Sequence, residues 1–345
     1  MSIQEIHQIS ITILMDNSTD FLLTNSAHAK RPSLIVNERF NLPPPVAEHG
    51  FSALVNIVKD TKNKAEKNSS NTFLFDTGVS ENGVIHNADI FGIDFKQIDG
   101  IILSHGHFDH FAGLVNVLKR MSPSSRRTAT TTSTNHVIDI YTHPDAFLRR
   151  WEIYPDGKRA KSPFLDERHL QELGAIIHKT TNVRFLPSEE SPLLLITEQI
   201  PRETSFEKGF PFQYAESPSD EKNLVPDPLI KDDQAIVANI RDKGLVIVTG
   251  CGQAGVINTI NYAKKITGVD KIYAIIGGFH LPADGGIYEE AIGPTLKELQ
   301  KADPEYIVPC HCTGWKATNK IINLMPEKFI QSGVGTVFTF KGLLY

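Results

Sequence analysis

His105-Gly106-His107-Phe108-Asp109-His110 places three imidazoles and one carboxylate within six consecutive residues. His105 and His107 are two apart, so in extended backbone both side chains project to one side and can share a metal ion. Asp109 and His110 follow once the chain has turned and can address a second ion a short distance away. Gly106 keeps that turn free of side-chain crowding. Nitrogen and carboxylate donors of this kind suit zinc first, and iron or manganese next. A divalent cation lowers the pKa of water from about 15.7 to near 7, and a pair roughly 3.5–4 Å apart can also polarise a carbonyl or phosphoryl oxygen. In such a scheme Asp109 orients the hydroxide and later passes a proton to the leaving oxygen, which makes it the candidate catalytic residue. The competing reading is a loop of solvated histidines. It leaves unexplained why the run follows an apolar strand and leads into a helix.

That strand is Ile101–Leu103, and Ala112–Lys119 carries Leu114, Val115 and Leu118 at helical spacing. The last hundred residues alternate more plainly. Leu245–Val248, Ile272–Ile276 and Tyr306–Val308 read as strands, with helices over Val256–Lys265 and Tyr288–Lys301 between them. Each of these three strands runs into a polar cluster: Thr249-Gly250-Cys251, Gly277-Gly278-Phe279-His280 and Pro309-Cys310-His311-Cys312. Sites in α/β proteins gather at such strand ends. The polar stretches near 60–71 and 122–135 read as loop insertions within a domain. From about 188 to 233, Pro and acidic residues interrupt every period, and loops with short strands are expected there.

The 345 residues carry a net charge of −5, with 40% hydrophobic and 22% charged residues, enough to bury a full core. No basic stripe points to nucleic acid, and no apolar run reaches the roughly 18 residues of a membrane span. The N-terminus lacks the pattern of a secretory signal. Cys251, Cys310 and Cys312 are too few for a disulfide framework, so a reducing, cytoplasmic setting is expected. No G-x-S-x-G elbow, P-loop or dinucleotide fingerprint offers a different chemistry.

The pattern His105-x-His107-x-Asp109-His110 resembles the signature of the metallo-β-lactamase superfamily, and Phe73-Leu74-Phe75-Asp76-Thr77-Gly78 resembles the strand and Asp-x-Gly element upstream of it. Thr249-Gly250-Cys251, Ile276–His280 and Val308–Gly314, with Ile200-Pro201-Arg202, Phe206-Glu207 and Asp232-Asp233-Gln234, look like one subgroup. Its members resemble the dihydropterin–ribofuranosylaminobenzene phosphate synthases. The resemblance covers most of the chain and implies one α/β domain over 1–345, an αββα sandwich with a dinuclear site at one edge of its two sheets. By that resemblance His105 and His107 bind the first metal, Asp109 and His110 the second, and Asp76 supports the site without binding metal. His311 sits where the last family histidine sits, and His280 is the candidate to complete the first site.

This sequence has Cys251 where commoner relatives carry a bridging Asp, and Gln253 where the subgroup often carries His. Cys251 is read either as a thiolate ligand or as a small buried residue, and both readings stand. Strand alternation would turn Cys310 and Cys312 away from an inward-facing His311, so both are expected to pack. His49 is a candidate substrate contact or a solvated loop residue. The remaining histidines lack ligand spacing. The expectation is a metal-dependent hydrolase with one or two zinc ions acting on a small ester, lactone or phosphoester, with a pterin- or phosphate-related substrate favoured by the subgroup. An acyl-homoserine lactonase is the rival. A di-iron redox protein and a non-catalytic metal-binding protein are readings of another class. A small-molecule substrate is the expected partner, without nucleic acid or membrane, and oligomeric state is left open.

Overall fold

A computed structural model describes residues 2–59, 70–122, 137–282 and 286–343. The two expected loop insertions fall almost wholly outside these residues. Strand Gly244–Thr249 shows how the fold is built, because all six of its residues are buried. Val246 and Val248 point into one apolar cluster, and Leu245 and Ile247 into another. A strand covered on both faces must be apolar at every position, which is why this segment reads as a continuous run instead of an alternation.

Two sheets account for those faces. One has strand order Arg184–Pro187, Pro192–Ile196, Ala235–Ile240, Gly244–Thr249, Ile272–Gly277, Tyr306–Pro309, with Glu5–Ile6 added alongside Ala235–Ile240. The other runs Ala175–Lys179, Ile138–Thr142, Gly100–Ile102, Ser70–Phe75, Ser52–Val58, Gln8–Met15, Val337–Lys341, Ala29–Lys30. Their inner faces meet in a core that joins Ile9, Val55 and Phe75 of the second sheet to Ile236, Val248 and Ile276 of the first. The outer face of the first sheet packs on helices Val256–Thr267, Gly286–Ala302 and Trp315–Leu324. The outer face of the second packs on Gly83–Ile90 and Leu114–Met121. The architecture is the αββα sandwich. Burial of each Ile or Leu side chain in such a core is worth about 1.5–3 kcal/mol, so the three layers of apolar contact dominate the stability.

The expected strands and helices of the last hundred residues all form, each extended by a residue or two. The segment 188–233 is more regular than its composition suggests. Strands Gln213–Ser217 and Asp220–Pro226 pair as a hairpin and extend through Arg150–Ile153 to Arg159–Lys161 as a four-stranded antiparallel sheet. Asp220–Pro226 is exposed along most of its length, so no apolar face marks it in the sequence. Helix Trp315–Leu324 was also not expected; it buries only Ala317 and Ile321.

Strand direction determines where the polar clusters lie. Gly244–Thr249, Ile272–Gly277 and Tyr306–Pro309 are mutually parallel, as are Ser70–Phe75, Gly100–Ile102 and Ile138–Thr142. The C-terminal ends of the two parallel sets face the same edge of the sandwich, and the chemistry-bearing loops leave from those ends.

Candidate metal centre

Each face of the centre comes from one sheet. From the strand ending at Ile102, the chain delivers Ser104 through His107 in loop backbone and then a single turn of helix, Phe108–Phe111, bearing Asp109 and His110. From the other sheet come Cys251, His280 and His311, each just past a strand end. His280 and His311 adopt left-handed backbone, φ 47° and 50°, conformations that non-glycine residues enter only when neighbours hold them there. At His311 the holder is visible. Asp16 accepts a hydrogen bond from the His311 amide at 3.0 Å and from Ser332 Oγ at 2.7 Å, while Asn17 Nδ2 donates to the His311 carbonyl at 2.9 Å.

The side chains converge. His105 Nε2 lies 3.0 Å from His107 Nδ1, and the His105 and His110 rings are 4.3 Å apart. Asp109 Oδ2 lies 3.3 Å from His311 Nε2 and 3.5 Å from His110 Nε2. Donor atoms of Asp109, His110 and His311 all fall within 4.8 Å of one another, as do those of His105, His110 and Cys251. The Nε2 atoms of His107 and His110 and both ring nitrogens of His311 are buried without an aligned hydrogen bond. Buried polar atoms of that kind are costly unless something pairs with them, and bound cations would serve the Nε2 atoms of His107 and His110 and one ring nitrogen of His311. The donor set therefore fits a divalent metal.

Electrostatics agree with the geometry. Burial alone would raise the Asp109 carboxyl, but His110 and His311 beside it hold it well below the usual carboxylate range. His110 is pushed the other way, to about 9: Asp109 and Asp76 outweigh the effect of burial. Burial, with Arg150 adding to it, lowers His107 to about 4, and burial beside His107 and His311 lowers His280 to about 3. Neutral imidazole is the form that binds metal, so His107 and His280 are ready to bind and His110 would release a proton in doing so.

Asp76 organises the floor. It accepts hydrogen bonds from the Ser104 amide and hydroxyl at 2.7 Å each, and its Oδ2 lies 2.7 Å from His110 Nδ1. That contact places the proton on Nδ1 and leaves the Nε2 lone pair aimed at the cluster. Gln253 Nε2 is 3.2 Å from His107 Nδ1 and 3.6 Å from Cys251 Sγ. His49 stands at the mouth, largely exposed, its Nε2 3.9 Å from Asp109 Oδ2. With His311 it lines a cavity of about 410 Å³ that also takes in Trp315, Phe329 and Asn17. On the other side of the centre, Phe206, Glu207 and Gly209 line a smaller pocket with Gln253, His280 and Tyr288.

Two expectations need correction or completion. Cys312 does not turn away from the centre: its Sγ lies 3.0 Å from Cys251 Sγ and within 4.8 Å of a His311 ring nitrogen. Alternation failed because the strand stops at Pro309, and the left-handed His311 breaks extended geometry. Cys310 packs in the inter-sheet core as expected. Sequence reasoning also missed Arg150. Buried on the four-stranded sheet, it pairs with both oxygens of Asp232 at 2.5 and 3.1 Å and with Asp227 at 2.9 Å. Asp232 in turn accepts the Gly106 amide at 2.7 Å, midway between the two paired histidines. Its neighbours complete the tie, since Asp233 accepts the Ala254 amide and Gln234 Nε2 donates to the Leu103 carbonyl. One acidic-amide tripeptide thus fastens both ligand loops.

The comparisons with known proteins align with this geometry. A sequence model of the metallo-beta-lactamase superfamily matches residues 66–132, the stretch that contains Asp76 and the His cluster. The chain is 29% identical over 299 residues, 85% of its length and 90% of the relative's, to the 7,8-dihydropterin-6-methyl-4-(beta-D-ribofuranosyl)-aminobenzene-5'-phosphate synthase of Methanocaldococcus jannaschii. A crystal structure described as a metal-dependent hydrolase of the beta-lactamase superfamily superposes with TM-score 0.67 at 19% identity, covering 96% of this chain and 98% of that one. The metallo-beta-lactamase fold protein YhfI of Bacillus subtilis superposes with TM-score 0.50 at 14% identity, covering 97% and 100%. A shared His-cluster segment, a relative along most of the chain and a common two-sheet architecture agree: the protein has the metallo-β-lactamase fold and is similar in sequence to members of that superfamily.

Proposed function

We propose that this protein is a metal-dependent enzyme that hydrolyses a phosphoester of a small, ring-bearing metabolite at the His105–His110 edge. The observation that carries the proposal is the convergence of His105, His107, Asp109, His110 and His311, with Nε2 of His107 and His110 and the ring nitrogens of His311 buried without an aligned hydrogen bond. A zinc ion or ion pair held by these residues would supply a Lewis acid and water of lowered pKa. His280 and Cys251 are proposed as further ligands on the side of the second face.

The protein's own part is positioning and proton handling. Asp109, held ionised by His110 and His311, is a carboxylate at the edge of the cluster, able to accept a hydrogen bond from the attacking water and so orient it. Asp76 and Ser104 keep His105 and His110 in one tautomer and one orientation. His49 stands where an incoming substrate would meet the mouth, and Gln253 steadies His107. The choice of a ring-bearing phosphoester is supported by the relative in Methanocaldococcus jannaschii, whose name carries a pterin, an aminobenzene and a 5'-phosphate. The three free cysteines suit a reducing compartment.

The test is a substrate panel of phosphomonoesters, phosphodiesters, pterin phosphates and acyl-homoserine lactones, assayed with zinc-loaded protein. Turnover confined to the phosphoesters is expected, with His107→Ala lowering kcat/KM by more than about a hundredfold. Turnover confined to the lactones would overturn the substrate class.

A further inference from the structure

Cys251 and Cys312 lie 61 positions apart in sequence, yet their sulfurs meet at 3.0 Å, both buried and neither in a disulfide. The approach is built into the backbone. A Cβ added at Gly278 would stand 2.6 Å from Cys312 Sγ and 2.7 Å from the Cys251 carbonyl, so only glycine there leaves room for the pair. Cys251 Sγ falls within 4.8 Å of ring nitrogens of His105 and His110 on one side, and of His311 with Cys312 on the other. Gln253 Nε2, 3.6 Å away, is a donor aimed at the same sulfur. His280 Nδ1 lies 3.7 Å from it.

We propose that Cys251 and Cys312 act together as a paired sulfur donor, so that the centre is a mixed imidazole, carboxylate and thiolate site that prefers zinc to harder cations such as magnesium. The inference rests on the metal-centre reading above and adds to it the second sulfur and the preference. Zinc–sulfur bonds are about 2.3 Å long and tetrahedral zinc sets two sulfurs about 3.8 Å apart, so the pair, at 3.0 Å, would open by less than about 1 Å to take one ion. Thiolate donors favour borderline-soft ions, whereas magnesium and calcium favour oxygen. Loading is redox-neutral: as each sulfur–metal bond forms, its S–H bond breaks and the proton leaves for solvent. Gln253 then donates to a sulfur that has become anionic, which gives its buried amide a charged acceptor.

Cobalt(II) reports this directly, because sulfur-to-cobalt charge transfer absorbs in the near ultraviolet and nitrogen or oxygen ligation does not. Full-length reduced protein would be stripped with a chelator, reloaded with cobalt and analysed for metal content and absorption. The expected result is a charge-transfer band in the native chain, weakened by roughly half in Cys312→Ser and absent in the double serine variant, with cobalt still bound in all three. A probe that needs no variant is alkylation of the native chain: zinc should protect Cys251 and Cys312, read by peptide mapping, and magnesium should not. Stoichiometric cobalt without the band, or a band unchanged in Cys312→Ser, would overturn the sulfur pair while leaving the metal centre standing. A native chain that binds no cobalt, like His107→Ala, would overturn both.

Discussion

At the scale of single residues, the candidate ligands are only part of the arrangement; buried charges hold them. Arg150 is the clearest case, since it neutralises Asp232, which anchors the Gly106 amide between two candidate ligands. Removing one partner of a buried pair strands the other charge, at about 3–5 kcal/mol. Arg150→Met should therefore lower stability by that amount in urea denaturation, and weaken zinc affinity by loosening the His105–His107 loop. Glu198 is a different kind of buried charge. Both its oxygens are buried without a hydrogen bond, and burial pushes it from 4.5 to about 8, Arg184 only partly opposing. Because the folded chain binds this proton more tightly than the unfolded one, the associated stability is fully present below about pH 4.5 and is lost as pH rises through about 8. Glu198→Gln should flatten the loss of urea midpoint between about pH 5 and 8 relative to the native chain. An equally steep loss in the variant would assign the pH dependence to other groups.

At the scale of elements, the helix Val256–Thr267 follows the Cys251 loop without a local cap: its N-cap is Gly255, at φ 90°. The missing acceptor comes from afar, as Glu207 takes the amides of Ile257 and Asn258 at 2.8 Å each. A carboxylate at a helix N-terminus satisfies orphan donors and complements the dipole, typically for about 1–2 kcal/mol. Glu207→Ala should cost that much at pH 8.5, above the value of about 7 to which burial raises this group, while Glu207→Gln should retain part of it. No local pattern announces such a cap, and the same reason limited the rest of the sequence reading. Runs such as Leu245–Val248 and Ile272–Ile276 were legible because burial on two faces leaves an unbroken apolar signal. The His cluster was legible because its ligands are adjacent in sequence. Arg150, Asp16 and Cys312 were not, because their partners lie 82, 295 and 61 positions away, and only the closed sandwich brings them together.

At the scale of the whole molecule, the centre sits astride the seam between the two sheets. His105, His107, Asp109 and His110 hang from one sheet, while Cys251, His280 and His311 hang from the other. A cation gripped from both sides would act as a cross-link across the inter-sheet core, and the unfolded chain, with His110 and His311 201 positions apart, could not match it. Linkage then sets the size of the effect: at free zinc of 1,000 times Kd the folded state gains about 4 kcal/mol. For a chain this long that amounts to several degrees in Tm. Calorimetry of the stripped protein with increasing zinc should show Tm climbing with the logarithm of free zinc. His311→Ala, which leaves the His105–His110 cluster intact but removes one donor of the opposite sheet, should move that rise to higher free zinc. A His311→Ala curve that rises at the same free zinc as the native chain would mean that His311 bears none of the load.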